Sequence, residues 1–170
     1  VRALSGPATL RGAARGRGAG RAAYARGMPS AEGNLTWVAA AERPDLLAPS
    51  VAAALEHVPG ARVAPIDATL ADTAAFCEFY DVAPEASANC VVVEARRGEE
   101  TTLAAVMVLA TDRADINRVV RKHLGARKIS FADQVKAQEL TGMQQGGITP
   151  VGLPLDWPVL VDEAVAAAGP

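Results

Sequence analysis

The sequence is poor in the residues that build metal sites, disulfide frameworks and aromatic cores. Two cysteines (Cys77, Cys90) and two histidines (His57, His123) are scattered over 170 residues. Neither a CxxC nor an HExxH spacing occurs, so no metal site is indicated, and two cysteines imply no disulfide framework. That cysteine usage favours an intracellular, cytoplasmic setting. Aromatics make up only 4% of the chain. No apolar run approaches the roughly 18 residues that read as a membrane span, so a membrane is not among the expected partners. No GK[ST] ends a glycine-rich loop and no GxGxxG follows a strand, which argues against nucleotide and dinucleotide cradles. No cofactor is called for.

Half of the residues are hydrophobic, enough for one core in one domain of ordinary size. The net charge of −2 hides an asymmetry. Residues 1–27 hold Arg2, Arg11, Arg15, Arg17, Arg21 and Arg26 and no acid, while the rest holds 11 basic and 19 acidic residues. The segment has low complexity and no apolar periodicity, so it is expected to be disordered and is set apart from the fold. It reads as an extension outside the domain, a nucleic-acid-binding arm or a targeting peptide. Met28 is a natural start for a domain covering 28–170.

Helical spacing of Leu46, Leu47, Val51, Ala54, Leu55 and Val58 predicts a helix over 44–58. A strand is expected at 62–66, and a helix at 70–80 capped by Asp67 or Thr69. "NCVVVEA" and "TTLAAVMVLA" flank "RRGEE", which predicts a hairpin over 89–110. Its nearly continuous apolar character predicts a sheet covered on both faces. Asp112 is expected to cap a helix at 113–124, with His123 as a hydrogen-bonded core histidine. A strand at 128–130, a helix at 132–140, a strand at 158–162 and a helix at 163–168 follow. The mixed order favours an α/β (α+β) domain over a doubly wound sheet.

The connection "ELTGMQQGGITPVGLP" (139–154) is several times longer than an ordinary loop of about 4–6 residues. Its glycines let backbone approach a ligand and aim N–H groups at it, and its prolines stiffen it. A structural loop and a ligand cradle both fit.

The segment "TGMQQGGITPVGLP…WPVLVDE" resembles the YbaK/EbsC family, editing domains related to the insertion domain of prolyl-tRNA synthetase. The family's G-x-x-x-P loop matches Gly146-Gly147-Ile148-Thr149-Pro150, followed by Gly152 and by Asp162 at the end of a strand. "PIDATLADTAAFCEFYDVAPEASANCVVVEA" and "VLATDRADINRVVRKHLGARKISFADQVKAQELTG" fit its upstream helices and strands, so the resemblance covers about 62–163. It implies a single domain with a curved, mostly antiparallel, barrel-like sheet flanked by helices. It also implies hydrolysis, in trans, of the ester in mischarged aminoacyl-tRNA, of the tRNA-Pro type. The loop backbone would grip the ester at Gly146, Gly147, Ile148, Thr149 and Pro150, and neither Gly146 nor Gly147 should tolerate a side chain.

The family lysine that opens the first core strand is matched by Asn89 in "SANCVVV". Asn89 is thus a catalytic candidate, and Cys90, Gly152 and Asp162 are substrate-binding candidates. Loss of the lysine sets a second reading beside the first: a weakened or inactive homologue that binds tRNA or a small ligand. Cys90 reads as a small buried hydrophobe, Cys77 as core, and Asp162 as a helix cap, a site group or both. The family's further glycine-rich strand and last helix are expected to be missing here, so the chain reads either as a truncated product or as one whose sheet lacks an edge. Arg118, Arg121, Lys122, Arg127 and Lys128 form the one basic stretch on an acidic body and are the candidates for a tRNA backbone. Aminoacyl-tRNA and an aminoacyl-tRNA synthetase are the expected partners; nothing recommends DNA.

Overall fold

A computed structural model describes residues 2–4 and 28–168. Seven strands and five α-helices are present among them. The strands are β1 (Arg2–Leu4), β2 (Val38–Ala39), β3 (Arg62–Val63), β4 (Ala88–Arg97), β5 (Glu100–Leu109), β6 (Lys128–Phe131) and β7 (Val159–Asp162). The helices are α1 (Pro49–Ala53), α2 (Thr73–Tyr80), α3 (Arg121–His123), α4 (Gln134–Thr141) and α5 (Glu163–Ala167).

The β4–β5 hairpin organises the domain. The β-branched run 91–93 favours extended backbone, and a two-residue turn joins the strands, with Arg97 opposite Glu100. Gly98 takes φ 65° at the first turn position, which a side chain would disfavour. The five-stranded sheet has the order β1-β7-β5-β4-β6. β4 is antiparallel to both β5 and β6, and β7 lies parallel to β5 and to β1. β2 and β3 form a separate antiparallel pair.

Successive residues of a strand face opposite sides, yet Val92, Val93, Glu94 and Ala95 are all buried, as are Ala104, Ala105 and Val106. Both faces are therefore covered, as the sequence predicts. One face packs Val93, Ala104, Val106, Val108 and Leu160 against Ile116 and Val120. On the other, Glu94 reaches α4, where Lys136 Nζ donates to its carboxylate at 2.7 Å, and Arg96 Nε donates at 2.7 Å. Those bonds, Lys136 first, hold the Glu94 carboxyl below the usual range.

Several expectations give way. The sheet is open: among the described residues no pairing joins its edges β1 and β6, so the barrel-like closure is absent. The helix expected over 44–58 is a turn at Pro44–Leu46, α1, and another turn at Leu55–His57. Pro49 has no N–H to donate backwards, so the α-helix begins at it instead of running through it. Asp115, not Asp112, caps the next helical segment by accepting from Arg118 N at 3.0 Å. That segment opens as a π-type turn, Ile116–Val120, which buries Ile116 and Val120 together. His123, expected in the core, is exposed, because the helix ends there and turns it outward. Asp72 rather than Asp67 or Thr69 caps α2; Asp67 caps the short turn before it.

The sequence assigns no strand within 1–27, but Arg2–Leu4 runs alongside Leu160–Asp162. Pairing of backbones along an open edge asks little of side-chain pattern. The expectation of a disordered arm otherwise lies outside the described residues.

Candidate active site

The long connection from α4 to β7 is anchored before it reaches the cleft. Met143 is buried, its N–H donates to Thr141 Oγ1 at 3.2 Å, and Ser50 Oγ donates to Thr141 O at 2.9 Å. Further on, Thr149 N–H points at Met143 Sδ, 3.4 Å away. The loop is thereby folded over one buried methionine, and Gly146 is carried against Ala71 beside the start of α2.

Here the loop borders a cleft of about 390 Å³. Its other walls are the first half of β4 (Asn89, Cys90, Val92), Thr73 of α2, and the end of β6 with α4 (Phe131, Gln134, Gln138). A second cavity of about 330 Å³ lies next to it, lined by Trp37, Ile66, Leu70 and Phe76 among others. The two share Ala71, Thr73, Ala88, Asn89 and Gly146. Asn89 and Gly146 therefore stand at the junction of two chambers.

The structure brings some of the expected site residues to this junction and leaves others elsewhere. Asn89 Oδ1 accepts from Thr73 Oγ1 at 2.8 Å, which leaves both Nδ2 hydrogens for another partner. Gly146 and Ile148 line the cleft, and neither backbone N–H finds an acceptor among the described residues. Gly147 does not line it; its N–H closes a turn onto Gln144 O at 3.0 Å. Thr149 and Pro150 do not line the cleft either. Gly152 packs on α1, where a Cβ would meet Ser50 O at 2.4 Å. Asp162 Oδ1 accepts from Ala164 N at 2.9 Å, so it caps α5.

The two glycines also differ in what they tolerate. Gly146 has φ 79°, and a Cβ there would stand 2.5 Å from Ala71 Cβ. At Gly147 a Cβ meets nothing closer than Gln144 O at 3.5 Å, so the expectation that both refuse a side chain holds for Gly146 alone.

Cys90 faces the cleft, and burial pushes its thiol up to about 11. It is a neutral thiol at ordinary pH, and His57 and His123 are both exposed and do not line the cleft. Cys77 is buried in the core, as expected. None of Arg118, Arg121, Lys122, Arg127 and Lys128 lines the cleft. All five are exposed, on α3, the turn before it and the start of β6. Among the described residues no charged residue lines the cleft. Thr73, Gln134, Gln138, Gln145 and Phe131 are site residues that sequence reasoning misses, since polar positions in short helices look like solvated faces until a wall stands opposite them.

Residues 67–169 match the model of the aminoacyl-tRNA editing domain, more than half of the chain. The chain belongs to that family. Among solved structures, this editing domain is similar to a protein described as a candidate trans-editing enzyme for prolyl tRNA synthetase. The two share 22% identity over 71% of this chain and 76% of that one, with a TM-score of 0.57. A structure from work on grafting linear epitopes onto scaffold proteins is matched at 21% identity over 71% and 77% of the two chains, with a TM-score of 0.57. These likenesses show the fold. A hypothetical protein is matched at 24% identity with a TM-score of 0.46, and the editing domain spans 57% of its length. No helix among the described residues is long and apolar enough to cross a membrane.

Proposed function

We propose that this domain hydrolyses the ester that joins a wrongly attached amino acid to the terminal ribose of tRNA, acting in trans on tRNA-Pro or a similar tRNA. The observation that carries the reading is the junction of the two chambers. The unspent N–H of Gly146 and the amide of Asn89 border that junction, and the unspent N–H of Ile148 belongs to the wall of the first chamber. When water adds to the ester carbonyl, negative charge develops on the carbonyl oxygen. Preset neutral donors around that oxygen stabilise it more than they stabilise the ground state.

Among the described residues no carboxylate, imidazole or thiolate lines the cleft to take the water's proton. The ribose hydroxyl next to the ester is suited to that task. It can accept a hydrogen bond from the attacking water and pass the proton to the departing ribose oxygen. The acyl C–O bond then breaks, releasing the amino acid and a free ribose hydroxyl. Thr73 positions Asn89 by fixing its Oδ1. The exposed cations Arg118, Arg121, Lys122, Arg127 and Lys128 suit the tRNA backbone, contacts that place an RNA without reading it.

The test is deacylation of tRNA-Pro charged with Ala, Cys or Ser, with binding of uncharged tRNA measured alongside. Turnover of at least one of the three supports the proposal. Salt-dependent binding without turnover of any supports the second reading, a binding homologue, which is favoured by the neutral Asn89 at the family's lysine position.

A further inference from the structure

The cleft holds a feature that ester hydrolysis does not use. Phe131, the last residue of β6, lines its rim and is 62% exposed. Exposed apolar side chains also occur elsewhere on the chain, Phe79 and Leu155 among them, but Phe131 is the one that borders this cleft, where it can meet an occupant whose chemistry the surroundings narrow. Gln134 and Gln138, one helical turn apart on α4, line the same wall. Their side-chain amides have no partner among the described residues, and no unpartnered side-chain atom is buried. The amides therefore stand open to whatever enters. Among the described residues the wall carries no charge, so it does not suit a phosphate or a carboxylate. A planar heterocycle with hydrogen-bonding edges suits it: the ring stacks on Phe131 and its edge meets an amide.

Charge on the same strand says where such a ring comes from. Arg127 and Lys128 lead into β6, are exposed, and form no ion pair among the described residues. Lys128 and Phe131 are three residues apart, about 10 Å along a strand. Among the described residues β6 is an edge strand with no strand paired to its outer side, so a nucleic-acid single strand can cross it there. The Lys128 and Phe131 side chains leave β6 on opposite faces, so a strand that crosses its outer edge meets the cation first and then the ring and the amides of the cleft.

We infer that Phe131 is the stacking platform for the terminal adenine of the tRNA, with the amides of Gln134 and Gln138 set to meet the base edge. An amide pairs with adenine through N6 and N7, and an aromatic ring stacks single-stranded bases. The inference rests on the proposed deacylation for its substrate, but its test does not depend on turnover. Binding is measured between the full chain and uncharged tRNA whose terminal nucleotide is adenosine, cytidine or an abasic ribose. The proteins are wild type, Phe131→Ala, Phe131→Trp and Gln138→Ala.

Phe131→Ala should weaken binding of the adenosine-ended tRNA by about tenfold, the lower part of the range for losing one base stack, and Phe131→Trp should restore it. Gln138→Ala should narrow the gap between adenosine and cytidine. With the abasic end, wild type and Phe131→Ala should bind alike. If wild type shows deacylation while Phe131→Ala binds the adenosine end as tightly as wild type, the platform is wrong and the proposed function stands. Equal loss with the adenosine and abasic ends also overturns the platform. If no variant shows turnover but the terminal-base dependence is present, the platform stands and the hydrolase reading fails.

Discussion

Three glycines of one loop separate a catalytic role from a structural one. Gly146→Ala forces a side chain into left-handed backbone, at about 1–2 kcal/mol. It also sets a Cβ 2.5 Å from that of Ala71. The contact is relieved only by moving the backbone about 1 Å, and a displacement of that size at a reacting centre can cost roughly 10²-fold. We expect the melting temperature to fall by about 3–8 °C and single-turnover deacylation to fall about 10²-fold. Gly152→Ala meets backbone, Ser50 O at 2.4 Å, also with φ 79°, but outside the cleft. It should destabilise at least as much and leave turnover per folded molecule within about threefold, the ordinary outcome when transition-state contacts are intact. Gly147→Ala has a free site and an ordinary φ. It should leave turnover unchanged and raise stability slightly, by about 0.4–1 kcal/mol through the unfolded state. The assay is single-turnover release of the amino acid, corrected for folded fraction from thermal melts. Loss at Gly152 equal to that at Gly146 would mean that the loop acts only through its fold, and an active Gly146→Ala would remove the cradle from the mechanism altogether.

Three further outcomes can be checked. Asn89→Ala removes one donor and should lower turnover by about 10²-fold. Asn89→Lys, placed where no cation lines the cleft, should raise it about tenfold, since roughly 1.4 kcal/mol is a modest gain for one charge; silence of both variants in single-turnover assays would mean that position 89 does not face the substrate. Cys90→Ala should keep turnover within a few-fold, and iodoacetamide should label wild-type Cys90 slowly at pH 8, where a thiol of pKa about 11 is ionised in about one molecule in a thousand; rapid labelling would contradict the burial argument. Glu94→Gln should cost about 1–2 kcal/mol at pH 7, discounted because Lys136 and Arg96 are part-exposed. The Glu94 carboxyl is held low in the folded state, so its contribution is present above the unfolded value of about 4.3 and is lost as pH falls through the folded value. The gap in melting temperature between wild type and Glu94→Gln should close on acidification, and a constant gap down to pH 3 would refute the ion-pair account.

The parts of the molecule legible in sequence are those where one local signal dominates. The β-branched run before Arg96-Arg97-Gly98 specifies the hairpin, and Gly98 sits where only φ > 0 closes it. Asp162 stands directly before α5 and caps it, whereas Asp133, which caps α4, falls inside the helix expected over 132–140. Legibility fails where the deciding contact is distant in sequence. Asp112 and Asp115 look alike as caps; burial of Ile116 under Val93 and Val106 selects the second. Gly146 and Gly147 look alike in "QQGGITP"; only the approach of Ala71, 75 residues away, tells them apart. Of the site, Asn89, Cys90, Gly146 and Ile148 could be found through the resemblance. The opposite wall could not, because Gln134 and Gln138 face Asn89 only through the pairing of β6 with β4, a long-range register that no local pattern encodes.

The neutrality of the cleft ties Asn89 to Cys90. Burial drives the Cys90 thiol upward, and among the described residues no cation lines the cleft to bring it back. A lysine at position 89 would supply that cation. Successive side chains leave a strand on opposite faces, but both of these residues border one cleft. An ammonium on a flexible stem would therefore share the poorly screened surroundings of the thiol and favour the thiolate. The amide at 89 thus does two things at once: it presents neutral donors to an oxyanion and it leaves the neighbouring thiol inert. Asn89→Lys should then speed alkylation of Cys90 along with deacylation, and Cys90→Ser in the same background should abolish the labelling and keep the faster turnover. If labelling of Cys90 stays slow while turnover rises, the lysine's charge reaches the ester without reaching Cys90, and the two residues face separate parts of the cleft.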